Sequence, residues 1–492
     1  MSEFQRNHPL VPDGIVGSNT VAGNCCGYVL SARHPFEMHA FFRQPDGGNM
    51  VGNCFRILSL DGGGAWALIQ VRALQKLYGA DAHGHDVLKD FQLVAANSGG
   101  SLVLGGLIEN LTLRQIDNLF QNQARRSSIF SPLGFLSGLR YRVLEKFSGV
   151  GPKYSTIQKL YGIQAALPRF GRTHLDALPG MLDNNAAWPR FLIPAFDYDL
   201  RRAMFFRSDV QSVANNMAYL GEPTIAEAIH ASTNAPINYF DKPATFPASP
   251  KYVSHRYWDG AVAGYNNPVL AAVLEVMANQ QRYATSVQQI VALSIGTGNT
   301  ALPLPGPAVL PIQPADAGLV LNPQASKLTA DIRILSQSIL SDPPDAATYA
   351  AHLALGGSGC CTPAAPISGH VVRMNPLIRP CYASGNWTLP PNLTAIEFTD
   401  LVNLDMDAVE PRQVALINRF CDLWLDDKVP NQAIRADERF QTLIGQCKFN
   451  AASAAWQNIG VTAGCGNAQT AGPTPGAGDS TAAQGQSVEA TE

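Results

Sequence analysis

The sequence is poor in charge, has no long apolar run and lacks the spacings that hold metals. Charged residues make up 15% of its 492 residues, and Lys+Arg 35 against Asp+Glu 38 leaves a formal charge of -3. With no cationic surplus there is no broad attraction for a phosphate backbone, so nucleic acid is not an expected partner. No stretch reaches the roughly 20 consecutive apolar residues that span a bilayer. The start, MSEFQRNHPLVPDG, lacks the basic-then-apolar order of a secretory signal, which makes a cytoplasmic protein the expectation. The nine cysteines include the adjacent pairs Cys25-Cys26 and Cys360-Cys361 but no CxxC beside paired histidines, so no zinc site is expected. An odd number would strand one thiol in an oxidising compartment, which favours mostly reduced cysteines. No DxDxDG loop calls for calcium. The expectation is a protein without metal or cofactor.

What is present is apolar patterning, with 46% hydrophobic residues and length enough for a large core. Residues 1–53 are rich in Gly, Asn and Pro without a period and read as an N-terminal extension. From Phe55, the run FRILSL is a buried strand, followed by a glycine turn and the helical AWALIQVRALQKLY. The pattern repeats as FQLVAA, NSGGS and LVLGGLIENL. Two strand–turn–helix units argue for an α/β fold with a parallel sheet. Further strands are expected at RFLIPAFDYD, MFFRS and QQIVALSIGTG, with a helix at TIAEAIHAST. A catalytic domain is therefore drawn over residues 54–300. Residues 301–461, with a Pro-rich connector, the helical KLTADIRILSQSIL and PRQVALINRFCDLWLDD, and a strand at HVVRMNP, read as its completion. Residues 462–492, almost devoid of large apolar side chains, read as a disordered tail.

Two turns carry chemistry. Ala96-Asn97-Ser98-Gly99-Gly100 joins a strand to a helix with small residues on both sides of a serine, as a nucleophile elbow requires. An ordinary strand-to-helix turn or a phosphate cradle has the same look. Asp61-Gly62-Gly63-Gly64 ends the preceding strand, where successive glycine N–H groups can converge on an oxyanion. Read as a nucleotide-phosphate loop, it completes neither GxGxxG nor GxxxxGK[ST].

Together the two turns resemble the patatin-like phospholipase family, whose pattern is a strand ending in DGGG, then GxSxG, then a distant DG[GA]. Here these read ILSLDGGG, ANSGG and YWDGAVAGYNNP. ASTNAPINYF is similar to the family's Ala-Ala-Pro-x-x-Phe segment, Asn266-Asn267-Pro268 to its NNP, and LSIGTG to its SlGTG strand. Six motifs in order, from about Phe55 to Thr297, carry the resemblance. It implies a three-layer α/β/α sandwich with a mostly parallel sheet, a lipid substrate, and cleavage of fatty acyl esters by a Ser-Asp dyad. The nucleophile then falls on Ser98, the general base on Asp259, and the oxyanion donors on Gly62, Gly63 and Gly64, with the N–H of Gly99 in addition.

The sequence departs from the family at Ala96, which replaces the first glycine of GxSxG, and at Ala65-Trp66-Ala67, where the family has x-[RK]-G. The second departure removes a basic group that could meet a phosphate. His230 and His255, or His352 and His370 in the α/β-hydrolase order, could instead complete a triad. The stretch IFSPLGFLSGLRYRVLEKF carries Ile129, Phe130, Leu133, Phe135 and Leu136 ahead of Arg140, Arg142 and Lys146. It suits either peripheral contact with an anionic membrane surface or a cap on the core; Arg125 and Arg126 read as a solvated face. Beside the lipid acyl hydrolase stand a catalytically weak lipid- or protein-binding module of the same fold and a nucleotide-binding α/β protein. The sequence assigns no oligomeric state.

Overall fold

A computed structural model describes residues 54–129, 152–178, 189–208, 223–246 except 238, 255–300, 302–303, 318–321, 343–357, 369–383, 386–432, 434–437, 442–444 and 447–463. The expected N-terminal extension, the helix KLTADIRILSQSIL, nearly all of the stretch from Ile129 and nearly all of the tail lie outside these residues.

The first expected strand forms as β1 (Phe55–Leu60) and is followed by helix α1 (Leu68–Tyr78). Helix α2 (Gly84–Leu88) leads to β2 (Leu93–Ala96), α3 (Ser98–Ile108), α4 (Leu113–Gln121) and α5 (Gln123–Ile129). Then come α6 (Thr156–Ala166), β3 (Arg190–Asp197), β4 (Arg202–Arg207), α7 (Ile225–Ser232), β5 (Ala244–Thr245) and β6 (Arg256–Asp259). Helix α8 (Val269–Ala278), β7 (Ile290–Ile295), α9 (Pro343–Ala354), β8 (Val371–Met374), α10 (Ala395–Asn403) and α11 (Pro411–Leu425) follow.

Eight strands form one sheet in the order β5-β6-β3-β2-β1-β7-β8, with β4 on the other edge of β3. Strands β3, β2, β1, β7 and β8 are mutually parallel. The apolar runs hide a period of two. In β1, Leu58 and Leu60 face the core under α1, α3 and α11, whereas Phe55 and Ile57 face a second core under α8 and α9. A strand covered on both faces has to be apolar throughout, which is why the runs looked continuous. Helices on both faces of a central, multi-strand sheet make the mixed α/β fold that the sequence implied.

Half of β3 departs from parallel pairing, and this matters for the site. After Asp197 the chain turns back at once. The Asp197 carboxylate accepts the N–H groups of Asp199 and Leu200 at 3.0 and 2.8 Å, and Arg201 sits at φ 54. So short a connection permits only the antiparallel hairpin with β4. On the opposite edge, β3 pairs with β2 over Arg190 to Leu192 and then with antiparallel β6, Ala195 lying opposite Asp259. Strand β6 thus runs toward the carboxyl end of β2, and its last residue, Asp259, arrives beside the turn that follows β2.

A buried ion pair ties the first turn to the C-terminal half. Arg373 of β8 donates from Nη1 and Nη2 to the two carboxylate oxygens of Asp61 at 3.0 and 2.6 Å, and from Nη1 to Ser294 Oγ at 2.7 Å. Burial pushes the Asp61 pKa up while Arg373 opposes the shift. Removing one member of such a pair strands a charge in the core, at about 3–5 kcal/mol. Arg373→Met is accordingly expected to lose stability on that scale in urea unfolding, and Asp61→Asn combined with Arg373→Met to lose less than Arg373→Met alone. A loss below 1 kcal/mol for Arg373→Met would mean that the pair is not closed in solution.

Candidate active site

Each glycine-rich turn has its form dictated by backbone crowding. Ser98 has φ 47, a left-handed conformation that costs free energy for a side-chain-bearing residue. A Cβ on Gly99 would lie 2.6 Å from the Gly64 carbonyl oxygen, and one on Gly100 would lie 2.5 Å from that of Leu60. The two turns are therefore in backbone contact, and only glycine fits where they meet. Ala96 is fully buried in the core, so a methyl group is accommodated where the family has glycine.

The candidate nucleophile and base are brought together across the end of the sheet. Ser98 and Asp259 are buried, at 6% and 2% exposure. The Ser98 hydroxyl lies on the Asp259 side of the turn and favours the ionised form of its carboxylate. Asn97 Nδ2 donates to Asp259 Oδ1 at 3.1 Å, and the Ala261 N–H donates to the same oxygen at 2.9 Å. Burial drives the Asp259 pKa above the ordinary carboxylate value, opposed by these hydrogen bonds and by the charge of Lys159. A Cβ on Gly260 would lie 2.4 Å from Asn97 Oδ1, so the glycine of DG is what lets the aspartate approach the elbow.

The oxyanion loop needs one correction. The Gly62 N–H is committed to the Asn266 carbonyl at 2.8 Å, so Gly62 is not an available donor. Its role is spatial, because a Cβ there would lie 2.2 Å from Asn266 Oδ1 and 2.9 Å from Ser98 Cβ. The N–H groups of Gly63, Gly64 and Gly99 donate to no protein acceptor among the described residues.

The other motifs brace this geometry. Ser232 Oγ accepts the Ser98 N–H at 3.0 Å and donates to Asn97 Oδ1 at 3.1 Å. Asn267 Oδ1 accepts from Ser59 Oγ at 3.2 Å and from the Val269 N–H at 3.0 Å, fastening α8 beneath β1. Thr297 Oγ1 donates to the Gly62 carbonyl at 2.8 Å. None of Asn97, Ser232, Asn234, Lys159 or Arg373 stood out as a site residue in the sequence, although Asn97, Ser232 and Asn234 lie in segments that did.

Trp66, where the family has its basic residue, and Ala65 before it are held by a loop distant in sequence. The Ala65 N–H donates to the Met406 carbonyl at 2.8 Å, and Trp66 Nε1 to the Asp405 carbonyl at 3.2 Å. That loop is anchored in turn. Tyr154 donates to Asp407 at 2.5 Å, Tyr239 donates to Asp405, and Lys153 bridges Asp405 and Asp407 at 3.2 and 3.1 Å. Arg126, expected on a solvated face, is instead buried and donates to the carbonyls of Phe120 and Val409; Arg125 is exposed.

Among the described residues, no histidine hydrogen-bonds or ion-pairs with Asp259. His255 Nδ1 lies 2.6 Å from Asp197, and His370 Nδ1 lies 2.7 Å from the Ile290 carbonyl. His230 is buried, with Nδ1 unpaired, and His352 belongs to α9, on the other face of the sheet. Among the described cysteines Cys381, Cys421 and Cys447 are free thiols, whereas Cys54 is disulfide-bonded. No group of three His, Cys, Asp or Glu among the described residues could hold a metal ion, and no described helix is long and apolar enough to cross a membrane.

With this geometry in view, residues 58–273 match the family model described as patatin-like phospholipase, so this stretch is a patatin-like phospholipase domain, as the motifs implied. A curated relative, an intracellular phospholipase A2 of Caenorhabditis elegans, is 27% identical over 250 residues, covering 49% of this chain and 19% of its own length. The chain thus spans about a fifth of that relative. Among solved structures, human GIVD cytosolic phospholipase A2 bound to methyl gamma-linolenyl fluorophosphonate is 13% identical at a TM-score of 0.37, with coverage of 84% and 59% of the two chains. VipD from Legionella pneumophila is 10% identical at a TM-score of 0.30, with coverage of 75% and 67%.

The Asp405 to Asp407 anchor predicts a defined stability effect. Asp407→Ala leaves the Tyr154 hydroxyl without its acceptor, at about 1–3 kcal/mol. Thermal unfolding is expected to show a lowered Tm, with Asp407→Asn, which keeps an acceptor, less affected. Equal Tm values for Asp407→Ala and the wild type would show that the anchor does not hold the turn.

Proposed function

We propose that the protein is a lipid acyl hydrolase, a phospholipase A-type serine esterase, in which Ser98 is the nucleophile and Asp259 the general base. The observation that carries this reading is the convergence at one sheet end of Ser98, of Asp259 held by Asn97 of the same turn, and of three N–H groups that meet no protein acceptor among the described residues. The relative and the family support the class of substrate, a fatty acyl ester of a lipid.

In this reading Ser98 Oγ attacks the acyl carbonyl carbon while its proton passes to Asp259. The N–H groups of Gly63, Gly64 and Gly99 stabilise the negative oxygen of the tetrahedral intermediate, each such donor contributing on the order of 10²–10³ in rate. Collapse breaks the ester bond, and Asp259 returns the proton to the leaving alcohol. Water then attacks the acyl-enzyme and gives its proton to Asp259, which passes it to Ser98 Oγ as the acyl–Oγ bond breaks and the fatty acid departs.

A solvent-open cavity begins at Gly64 and Ala65 and runs between Leu102, Phe120, Ile163 and Leu167. Leu102 lies one helical turn beyond Ser98 in α3, so a chain whose carbonyl rests at the turn has an apolar wall along that helix. The lining suits an acyl chain. Arg125, also at this cavity, is exposed and supplies a cation at the rim.

Three outcomes test the proposal. Ser98→Ala and Asp259→Asn are each expected to lose at least about 10³-fold in kcat on both a short-chain chromogenic ester and phospholipid vesicles. A wild type inert on a broad panel of lipid esters would favour a lipid-binding module instead. Because the ionised Asp259 is the base and burial raises its pKa, kcat/KM is full above that raised value and falls as pH drops through it. The acid limb is therefore expected above the ordinary carboxylate range; full activity at about pH 4 would contradict it. Finally, Leu102→Trp is expected to reduce kcat/KM on long-chain esters by about tenfold while sparing a butyrate ester, as followed by fatty acid release.

A further inference from the structure

Lys159 is fully buried in α6, a position where lysine is almost never found without a counter-ion. Its Nζ donates to the His230 carbonyl and to Asn234 Oδ1, both at 2.9 Å, and lies 4.0 Å from the centre of the Phe240 ring. All of these are uncharged. The charge that Lys159 meets is that of Asp259. The same asparagine joins the two residues through the backbone, because the Asp259 N–H donates to the Asn234 carbonyl at 3.0 Å.

We infer that Lys159 is a positioning residue for Asp259: it fixes Asn234, whose carbonyl holds the end of β6, and its positive charge favours the carboxylate form of Asp259. The inference rests on the reading of Asp259 as the base. Among the groups around Asp259, Ser98 of α3 and Asn97 face it as neutral donors, and Lys159 of α6 faces it as a cation. His230 of α7 faces Lys159, and burial keeps its ring neutral. On β3 and β6, Asp197 is paired with His255, and Arg256 with Asp199. Among the described residues, no other charge therefore takes over the task of Lys159.

Burial pulls the Lys159 pKa far down, and the Asp259 charge draws it back up. The coupling is reciprocal, since whatever the carboxylate does for the ammonium the ammonium does for the carboxylate. An opposite charge lowers a carboxyl pKa, so removing that of Lys159 moves the base in the other direction.

The test compares Lys159→Gln with Lys159→Met in the full chain, following the pH profile of kcat/KM for a chromogenic ester. Glutamine retains a donor for the two carbonyl oxygens and removes the charge. The expected result for Lys159→Gln is an acid limb displaced by about one unit to higher pH, hence about tenfold lower activity on that limb and recovery toward the plateau at alkaline pH. A Lys159→Gln profile that superimposes on the wild type overturns the proposal, leaving lysine a mere donor to Asn234. Side-chain ¹⁵N-lysine NMR on Asp259→Asn gives a second measurement that does not require the Lys159 variants to fold. The buried amine is expected to titrate at lower pH than in the wild type, and an unmoved titration overturns the pairing. Retained activity in Asp259→Asn would instead sink the dyad itself, separately from either Lys159 result.

Discussion

The buried contact between Asp61 and Arg373 is the constraint on which much of the site rests. Two charges removed from water are tolerable only when matched, and here the planar guanidinium meets both carboxylate oxygens while also reaching Ser294. The pair fixes the first residue of the glycine turn against two further strands of the sheet. It also makes the C-terminal half part of the site, because β8 contributes both Arg373 and a ladder to β7. Immediately after β8, Asn375 accepts the Gly298 N–H at 2.6 Å and donates to Gln432 at 2.7 Å, so the same end of the sheet is laced across four segments of chain.

From that fixed point the remaining geometry follows by exclusion of volume. The Gly64 backbone lies against Gly99, the Gly62 backbone against Ser98 and Asn266, and Gly260 against Asn97. Side chains at those positions would separate the oxyanion turn from the serine or the aspartate from the elbow. The strain at Ser98 is held by hydrogen bonds on both sides. Its N–H is bound by Ser232, and its carbonyl accepts Ser101 Oγ at 2.6 Å. A conformation that costs of order 1–3 kcal/mol persists only where the surroundings over-determine it in this manner.

The same region concentrates unfavourable terms: a left-handed serine, a buried carboxylate with a raised pKa and a buried lysine with a lowered one. These oppose folding, and their clustering at one sheet end is the pattern expected of a site shaped for reactivity. The large core on both faces of the sheet supplies the offset.

Much of this was legible in the linear sequence. FRILSL, LVAA and IVALSI declare themselves as strands because a sheet covered on both faces admits only apolar residues, and ANSGG and DGGG declare their turns because only small residues survive where backbones touch. The family resemblance singled out Ser98 and Asp259 on two turns far apart in the chain. Tertiary structure alone decided that Asp259 ends a strand, since β6 is set by its ladder with β3 and not by a pattern of its own. It alone decided that Gly62 spends its N–H on Asn266, that Arg126 turns inward to the carbonyls of Phe120 and Val409, that Arg373 reaches Asp61, and that Lys159 reaches Asn234. Local patterns record which residues tolerate burial and which turns need glycine, because those are properties of neighbours along the chain. Which donor meets which acceptor across hundreds of residues is fixed only when the sheet closes, because a buried polar group accepts whichever partner the packing brings within reach.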